Sequence, residues 1–345
     1  MKKITRRTVL RVSGLAAASL ALSGCAPAGS ACVGNGFSDW LQQTLGKSDG
    51  AVSSESTEAA APDAGAASEA PAESADSSLP AYNADPLTGE PRRSNGRIVG
   101  VMVNNISNTQ RQNARPQRGI GSADLLIESK VEGGISRFCA VYHDANAIPE
   151  VGPLRSGRDQ FLQLLMPWQA LYYHDGESAP CTKFINVYHY SGLNIGGKSY
   201  FNTTTHPHVA HRDSRGRNVA YEHTEFTSGA EIRQAAANAG IGLEYPYEST
   251  FFRFADYRTG AENKMSGAAA AKTINIVHSD SYKTTFSYNR WDHLYKMSMY
   301  SRADGAFENT VDELTGKQLG FTNLLVCFAG IADYPGDSGG VQQVD

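Results

Sequence analysis

The stretch from Ser48 to Pro80 is too polar to pack, and it divides the chain into a leader, a tether and a body. It holds seven acids (Asp49, Glu55, Glu58, Asp63, Glu69, Glu73 and Asp76) and no Lys or Arg among Ala, Ser and Pro. Such a composition buries too little apolar area to offset chain entropy. As a flexible coil its 33 residues span on the order of 30 Å, so it reads as a spacer.

What precedes the spacer reads as an export leader. Residues 1–24 carry a charged start with the pair Arg6-Arg7, an Ala-rich run from Val12 to Leu22, and Leu22-Ser23-Gly24 before Cys25. The apolar run is too short to span a bilayer, and the arginine pair before a weakly hydrophobic core fits a twin-arginine signal. Leu22-Ser23-Gly24-Cys25 resembles a bacterial lipobox. Cleavage before Cys25 and acylation of its thiol would tether the chain to the outer face of the cytoplasmic membrane. The expected organisation is therefore signal 1–24, acylated Cys and acidic linker 25–81, a mixed α/β domain 82–242 and an antiparallel β domain 243–345.

The whole chain has a formal charge of −4, and without leader and linker the body is nearly neutral. A nucleic-acid binder would show a basic stripe, so nucleic acid is not an expected partner. Ile98 to Val103 reads as a buried strand. Asp124–Val131 and Ser136–Tyr142 read as a hairpin through Glu132-Gly133-Gly134. Ser156 with Asp159 reads as an N-cap and capping box for a helix through Met166. Gln169–Tyr173 is a further expected strand, followed by a helix over Ala179–Val187 and one opened by Ser228-Gly229-Ala230-Glu231. Beyond Gly242, strands are expected over Thr250–Asp256, Lys272–His278, Lys283–Tyr288, Leu294–Tyr300 and Leu324–Ala329. The fold class is thus an α/β (α+β) N-terminal domain and a mainly antiparallel β C-terminal domain, whose last strands are expected to lie beyond Asp345. Cys139 and Cys327 read as buried strand thiols, with a Cys139–Cys181 disulfide left open.

Several consecutive motifs carry a family resemblance. They include Asp85-Pro86-Leu87-Thr88-Gly89, Ala114-Arg115-Pro116-Gln117-Arg118-Gly119, Val131-Glu132-Gly133-Gly134-Ile135-Ser136-Arg137-Phe138 and Gly152-Pro153-Leu154-Arg155-Ser156-Gly157-Arg158, with Thr315-Gly316-Lys317-Gln318-Leu319 further on. Together they resemble the YerB-like lipoproteins, the domain-of-unknown-function 3048 family, over about residues 85–330. The resemblance implies a two-domain bacterial lipoprotein outside the membrane, with no established reaction and with peptidoglycan-synthesis enzymes as suspected neighbours. This chain departs from the family after His174 and at Glu222-His223-Thr224-Glu225-Phe226, where only His223 carries over.

The candidate ligand residues are Arg155 and Arg158 around Ser156, with Arg137, Asn105, Arg115 and His174. Guanidinium forks and free amides at a helix start suit a phosphate or carboxylate; pairing of the arginines with Glu128, Glu132, Asp124 or Asp159 is the structural alternative. His174, Glu177, His223 and Glu132 form a candidate acid–base set for a phosphodiester or glycosidic bond. No nucleophile elbow, Ser-x-x-Lys or P-loop is present, so a binding cleft is the expected use of these groups, with no cofactor. His206 and His208 share a face of an extended chain, with His211 on the other, a weak zinc pattern. A cell-wall component or a peptidoglycan synthase is the expected partner, beside the membrane itself. Exchange of Cys25 for Ser is expected to move the protein from the membrane to the soluble fraction; fractionation of cells carrying each form checks this.

Overall fold

Val99–Asn104 forms β1, and all six residues are buried. Val99, Val101 and Val103 face one side of the sheet and Gly100 and Met102 the other, so the strand needs cover on both. In the computed structural model, which describes residues 83–195, 209–245, 252, 254 and 268–344, that cover is complete. β1 pairs antiparallel with β3 (Ser136–Tyr142) and parallel with β4 (Leu171–His174). β2 (Leu125–Lys130) and β5 (Gly192–Asn194) complete a mixed sheet of order β2-β3-β1-β4-β5.

On one face Met102, Cys139, Val141 and Tyr172 pack with Phe161, Leu162 and Leu165 of helix α1 (Asp159–Leu165), and with Trp168 and Cys181. Cys181 belongs to helix α2 (Ala179–Tyr188), capped by the Ser178 hydroxyl. Gly100 exists because a Cβ there would lie 2.6 Å from Leu165. The opposite face, Val99, Val101, Val103, Phe138 and Tyr173, packs on Ile232, Ala235 and Ala236 of helix α3 (Gly229–Asn238). Its opening is the expected capping box: the Ser228 hydroxyl accepts from the Glu231 amide and donates to the Glu231 carboxylate.

β6 (His211–Arg212) and β7 (Glu225–Phe226) form a short ladder. The second sheet is antiparallel, built from β8 (Thr273–Val277), β9 (Lys283–Asn289), β10 (Leu294–Ser301) and β11 (Ala306–Asn309), with β14 (Gly320–Phe321) on the remaining stretch of β10. β12 (Val311–Asp312) and β13 (Lys317–Gln318) make a small hairpin beside it, and β15 (Ile331–Asp333) pairs with β16 (Gln342–Val344). Phe286, Met297, Met299 and Phe321 of this sheet belong to the same apolar cluster as the α3 face of the first.

The α/β body followed by antiparallel β structure agrees with the sequence reading. Two details differ. α1 starts at Asp159 with Arg158 as its cap residue and no side-chain cap, so Ser156 lies outside the helix. Leu324–Ala329 is no strand, and Cys327 is exposed rather than buried in one. Cys139 is the buried strand thiol expected, and Cys181 is likewise buried and free, so the alternative of a disulfide between them is not formed. Thr250–Asp256, apart from Phe252 and Phe254, lies outside the described residues, as do the leader and linker with Cys25.

The hairpin of β2 and β3 turns through Gly133 and Gly134, with φ of 66° and 71°, the conformation their lack of a Cβ permits. Gly157 is required for a different reason: a Cβ there would sit 2.9 Å from the Tyr172 ring and 3.1 Å from His174. Gly157→Ala is expected to cost about 1–3 kcal/mol by overpacking. Gly133→Ala has open space around it and is expected to cost about 1 kcal/mol for its backbone alone. Equilibrium urea unfolding of both variants checks the order.

Candidate functional site

β1 and β4 run parallel, so their carboxyl ends, Asn104 and His174, open on the same edge of the sheet. The segment 152–158 crosses that edge. Leu154 bridges Val103, the Arg155 amide donates to the Met102 carbonyl at 3.1 Å, and Gly157 bridges Glu177. Gly152 allows the crossing, since a Cβ there would lie 2.7 Å from the Glu225 carbonyl. The Tyr172 hydroxyl fixes the end of the segment, accepting from the Arg158 amide at 3.0 Å and donating to its carbonyl at 3.2 Å. Tyr172 and Tyr173 are fully buried, so neither offers a face to a sugar.

Arg137 and Arg158 converge on Glu132. Arg137 Nη2 donates to Glu132 at 2.6 Å, and Arg158 grips the same carboxylate with Nε, at 2.9 Å, and Nη2. Burial opposes charge on Glu132, but the two guanidiniums outweigh it and hold the carboxyl at about 2. Glu132 is therefore an ionised counter-charge at neutral pH and a poor proton donor. Arg137 Nη1 binds the Ser156 carbonyl at 2.6 Å, whereas its Nε is buried with no acceptor. Burial, then the neighbouring Arg158, presses Arg137 down to about 9, still charged at neutral pH. Arg155 stands apart. Its side chain is 27% exposed, and its nearest counter-charge is Glu222 at 3.5 Å, itself 43% exposed.

The candidate acid–base groups are closed in. His174 is fully buried, with Nδ1 on the Gly176 carbonyl at 2.8 Å and Nε2 3.7 Å from Glu177. Glu177 accepts from the Thr182 hydroxyl at 2.6 Å. His223 lies between two amides: Asn104 Nδ2 donates to Nδ1 at 3.0 Å, and Nε2–H donates to Gln112 Oε1 at 2.8 Å. Both ring nitrogens are thus used by the neutral form. Burial, reinforced by Arg155, Arg217 and Arg215, lowers His223 to about 4 against the pull of Glu222.

Asn105 and Arg115 belong to an interior hydrogen-bond network. Arg115 donates to the Asn105 side chain, the Asn105 carbonyl and the Tyr300 carbonyl of β10. Gln117 also donates to Asn105 Oδ1, at 2.8 Å, and Asn105 Nδ2 donates to Ser136. Ser136 in turn donates to Glu128, which also takes the Thr284 hydroxyl and pairs with His278. Burial opposes charge on Glu128, but these donors, His278 foremost, keep it below the usual carboxylate range. The sequence-predicted residues Asn105 and Arg115 thus join the two sheets.

Of the histidine triplet, His206 and His208 lie outside the described residues. His211 bridges Glu231, at 2.9 Å, and Glu150, at 3.2 Å. Among the described residues, no group of three or more His, Cys, Asp or Glu side chains is arranged to hold a metal ion. Three residues escaped the sequence reading, Glu222, Arg215 and Arg217. Glu222 was noted only as part of the 222–226 segment, and the one signal for the two arginines was the run Arg212-Asp213-Ser214-Arg215-Gly216-Arg217, three arginines in a segment without periodicity.

A two-sheet α/β protein with buried guanidiniums at the carboxyl edge of its first sheet is the class that fold and site define. Comparison with known proteins shows what the chain resembles. A family model described as "Protein of unknown function (DUF3048) N-terminal domain" matches residues 87–242, so this stretch of the chain is similar to that family. YerB of Bacillus subtilis (strain 168), named as a lipoprotein, is 28% identical over 251 residues, covering 70% of this chain. The chain spans 66% of the length of that relative. The crystal structure of the Bacillus subtilis YerB protein superposes with a TM-score of 0.56 at 23% identity, over 76% of this chain and 80% of that one. It has the same fold.

The buried neutral imidazole makes stability depend on pH with a defined sign. Unfolded, His223 takes its proton near 6.5; folded, it does so only near 4. Its contribution is complete above pH 6.5 and is lost as pH falls towards 4, on the order of 3 kcal/mol. His223→Gln is expected to flatten the fall in stability between pH 7 and pH 4, as read by urea unfolding at each pH.

Proposed function

We propose that this chain is a lipoprotein anchored through Cys25 to the outer face of the bacterial cytoplasmic membrane. It binds a cell-envelope component at the carboxyl edge of its first sheet and acts beside the enzymes of peptidoglycan synthesis without transforming a substrate. The lipobox, the acidic spacer and the relative named as a lipoprotein support the anchor. One observation carries the choice of binding over catalysis: every proton-transfer candidate at the edge is locked, while Arg155 is open. His174 and Glu177 are buried, His223 is held neutral by its two amides, and Glu132 is clamped as a counter-charge. A general acid or base must reach the reacting group and change its charge near the working pH. Arg155 offers a guanidinium held only by a half-exposed carboxylate at 3.5 Å, a pair that an anionic ligand can replace. Hydrolysis of envelope phosphodiesters or glycans through the same residues is the competing reading, and the same experiment separates it.

Full-length protein, mixed with purified cell wall and sedimented, is expected to be retained without release of new fragments by mass spectrometry. Arg155→Ala is expected to weaken retention at least about tenfold, the value of one charge-assisted hydrogen bond, with the melting temperature preserved. Fragments that disappear in His174→Ala would instead establish the hydrolase.

A further inference from the structure

The turn after β6 buries guanidinium groups that the edge described above does not use. Arg215 sits at φ 55°, and its side chain runs inward, only 1% exposed. Its Nη1 is occupied, donating to the Pro116 carbonyl at 2.7 Å and to Glu313 Oε2 at 3.0 Å. That same carboxylate oxygen also takes Arg118 Nε at 2.9 Å, so one oxygen serves two guanidiniums. The Phe226 ring lies against the guanidinium carbon at 5.0 Å. What is left is Nε and Nη2, both buried and both without an acceptor. Beside it, Arg217 donates from Nη2 to the Asn113 carbonyl at 3.2 Å, and its Nη1 is likewise buried without one.

The pattern of used and unused nitrogens is what matters. Nε–H and one Nη2–H project in parallel from a single edge of a guanidinium, spaced to meet two oxygens of one carboxylate or phosphate. In Arg158 that edge is filled by Glu132. In Arg215 the same edge meets no acceptor among the described residues, although a buried charged donor left without one is costly. Arg217 adds a third donor and an ion pair to no described carboxylate. Burial, then the charge of Arg215, lowers Arg217 below the usual arginine value, the mark of two cations pressed together.

We propose that the Nε/Nη2 edge of Arg215 and Nη1 of Arg217, between the 213–217 turn and the 113–116 loop, form a subsite for a two-oxygen anionic group, a phosphate or a carboxylate. Its donors differ from the Arg155 guanidinium, and it stands whether or not the protein is retained by cell wall. The turn that carries it is at the surface, with Ser214 and Gly216 exposed.

Calorimetric titration of the full-length protein with inorganic phosphate and, separately, with acetate tests it and distinguishes the two sources. Saturable binding of at least one anion is expected. Arg215→Lys keeps the charge but loses the fork, and is expected to weaken that binding at least tenfold. Arg217→Gln, at a half-buried position, is expected to weaken it in the same direction with an unchanged melting temperature, which guards against misfolding of the Arg215 variant. In the unsubstituted protein the Arg215 Nε resonance is expected to shift on titration. No saturable binding of either anion, binding unchanged in Arg215→Lys, or binding lost in Arg155→Ala but kept in Arg215→Lys would each overturn the assignment.

Discussion

A guanidinium buried in a protein interior must find acceptors for its donors, and Arg115 meets that demand by binding three separate pieces of the chain together. Its contacts reach Asn105 at the end of β1 and the Tyr300 carbonyl of β10. Asn105 passes the constraint on to Gln117, Ser136 and, through Ser136, Glu128. Glu128 then holds Thr284 and His278 of the second sheet. The loop after β1, the β2–β3 hairpin and the antiparallel sheet are therefore fixed by one polar chain, in which each buried member depends on the next. The apolar cluster shared by both sheets gives bulk stability, and this network gives the register.

The same logic explains why the carboxyl edge looks like an enzyme in sequence and like a scaffold in structure. Histidines, carboxylates and arginines gather there because strand ends leave backbone groups that need partners. Most of them serve that need: Arg137 caps the Ser156 carbonyl, His174 the Gly176 carbonyl, and His223 joins Asn104 to Gln112. Once locked, such groups keep their charge state and their position. Chemistry that requires neither proton transfer nor movement, the recognition of an anion by a fixed cation, is what remains open to this edge.

Much of the fold was legible because it rests on local rules. The six-residue buried strand, the glycine hairpin and the Ser228 cap each follow from spacing and turn chemistry within a few residues. The misassignments share a cause as well. Ser156 has the sequence of a cap, but its carbonyl is taken by Arg137 and its segment by the edge of the sheet, so the helix waits until Asp159. Leu324–Ala329 has the residue types of a strand without a neighbour to pair with. For the site, the sequence picked out Arg155, Arg158, Glu132 and His223. It did not show which arginine would be claimed by Glu132, because Glu132 and Arg158 are brought together by tertiary structure alone. Arg215 and Arg217 were invisible, lying in a run with no periodicity.

The central claim is that fixed guanidiniums, not titrating side chains, carry the function of this surface. Side-chain nitrogen NMR reads both kinds of group in one sample. With cell-wall fragments added to the full-length protein, the account predicts that arginine Nε resonances shift while His223 keeps its neutral signature and the ring nitrogens of His174 stay unmoved. Protonation of His223 or movement of the His174 ring resonances on addition of the fragments, with the arginine resonances unmoved, would contradict it.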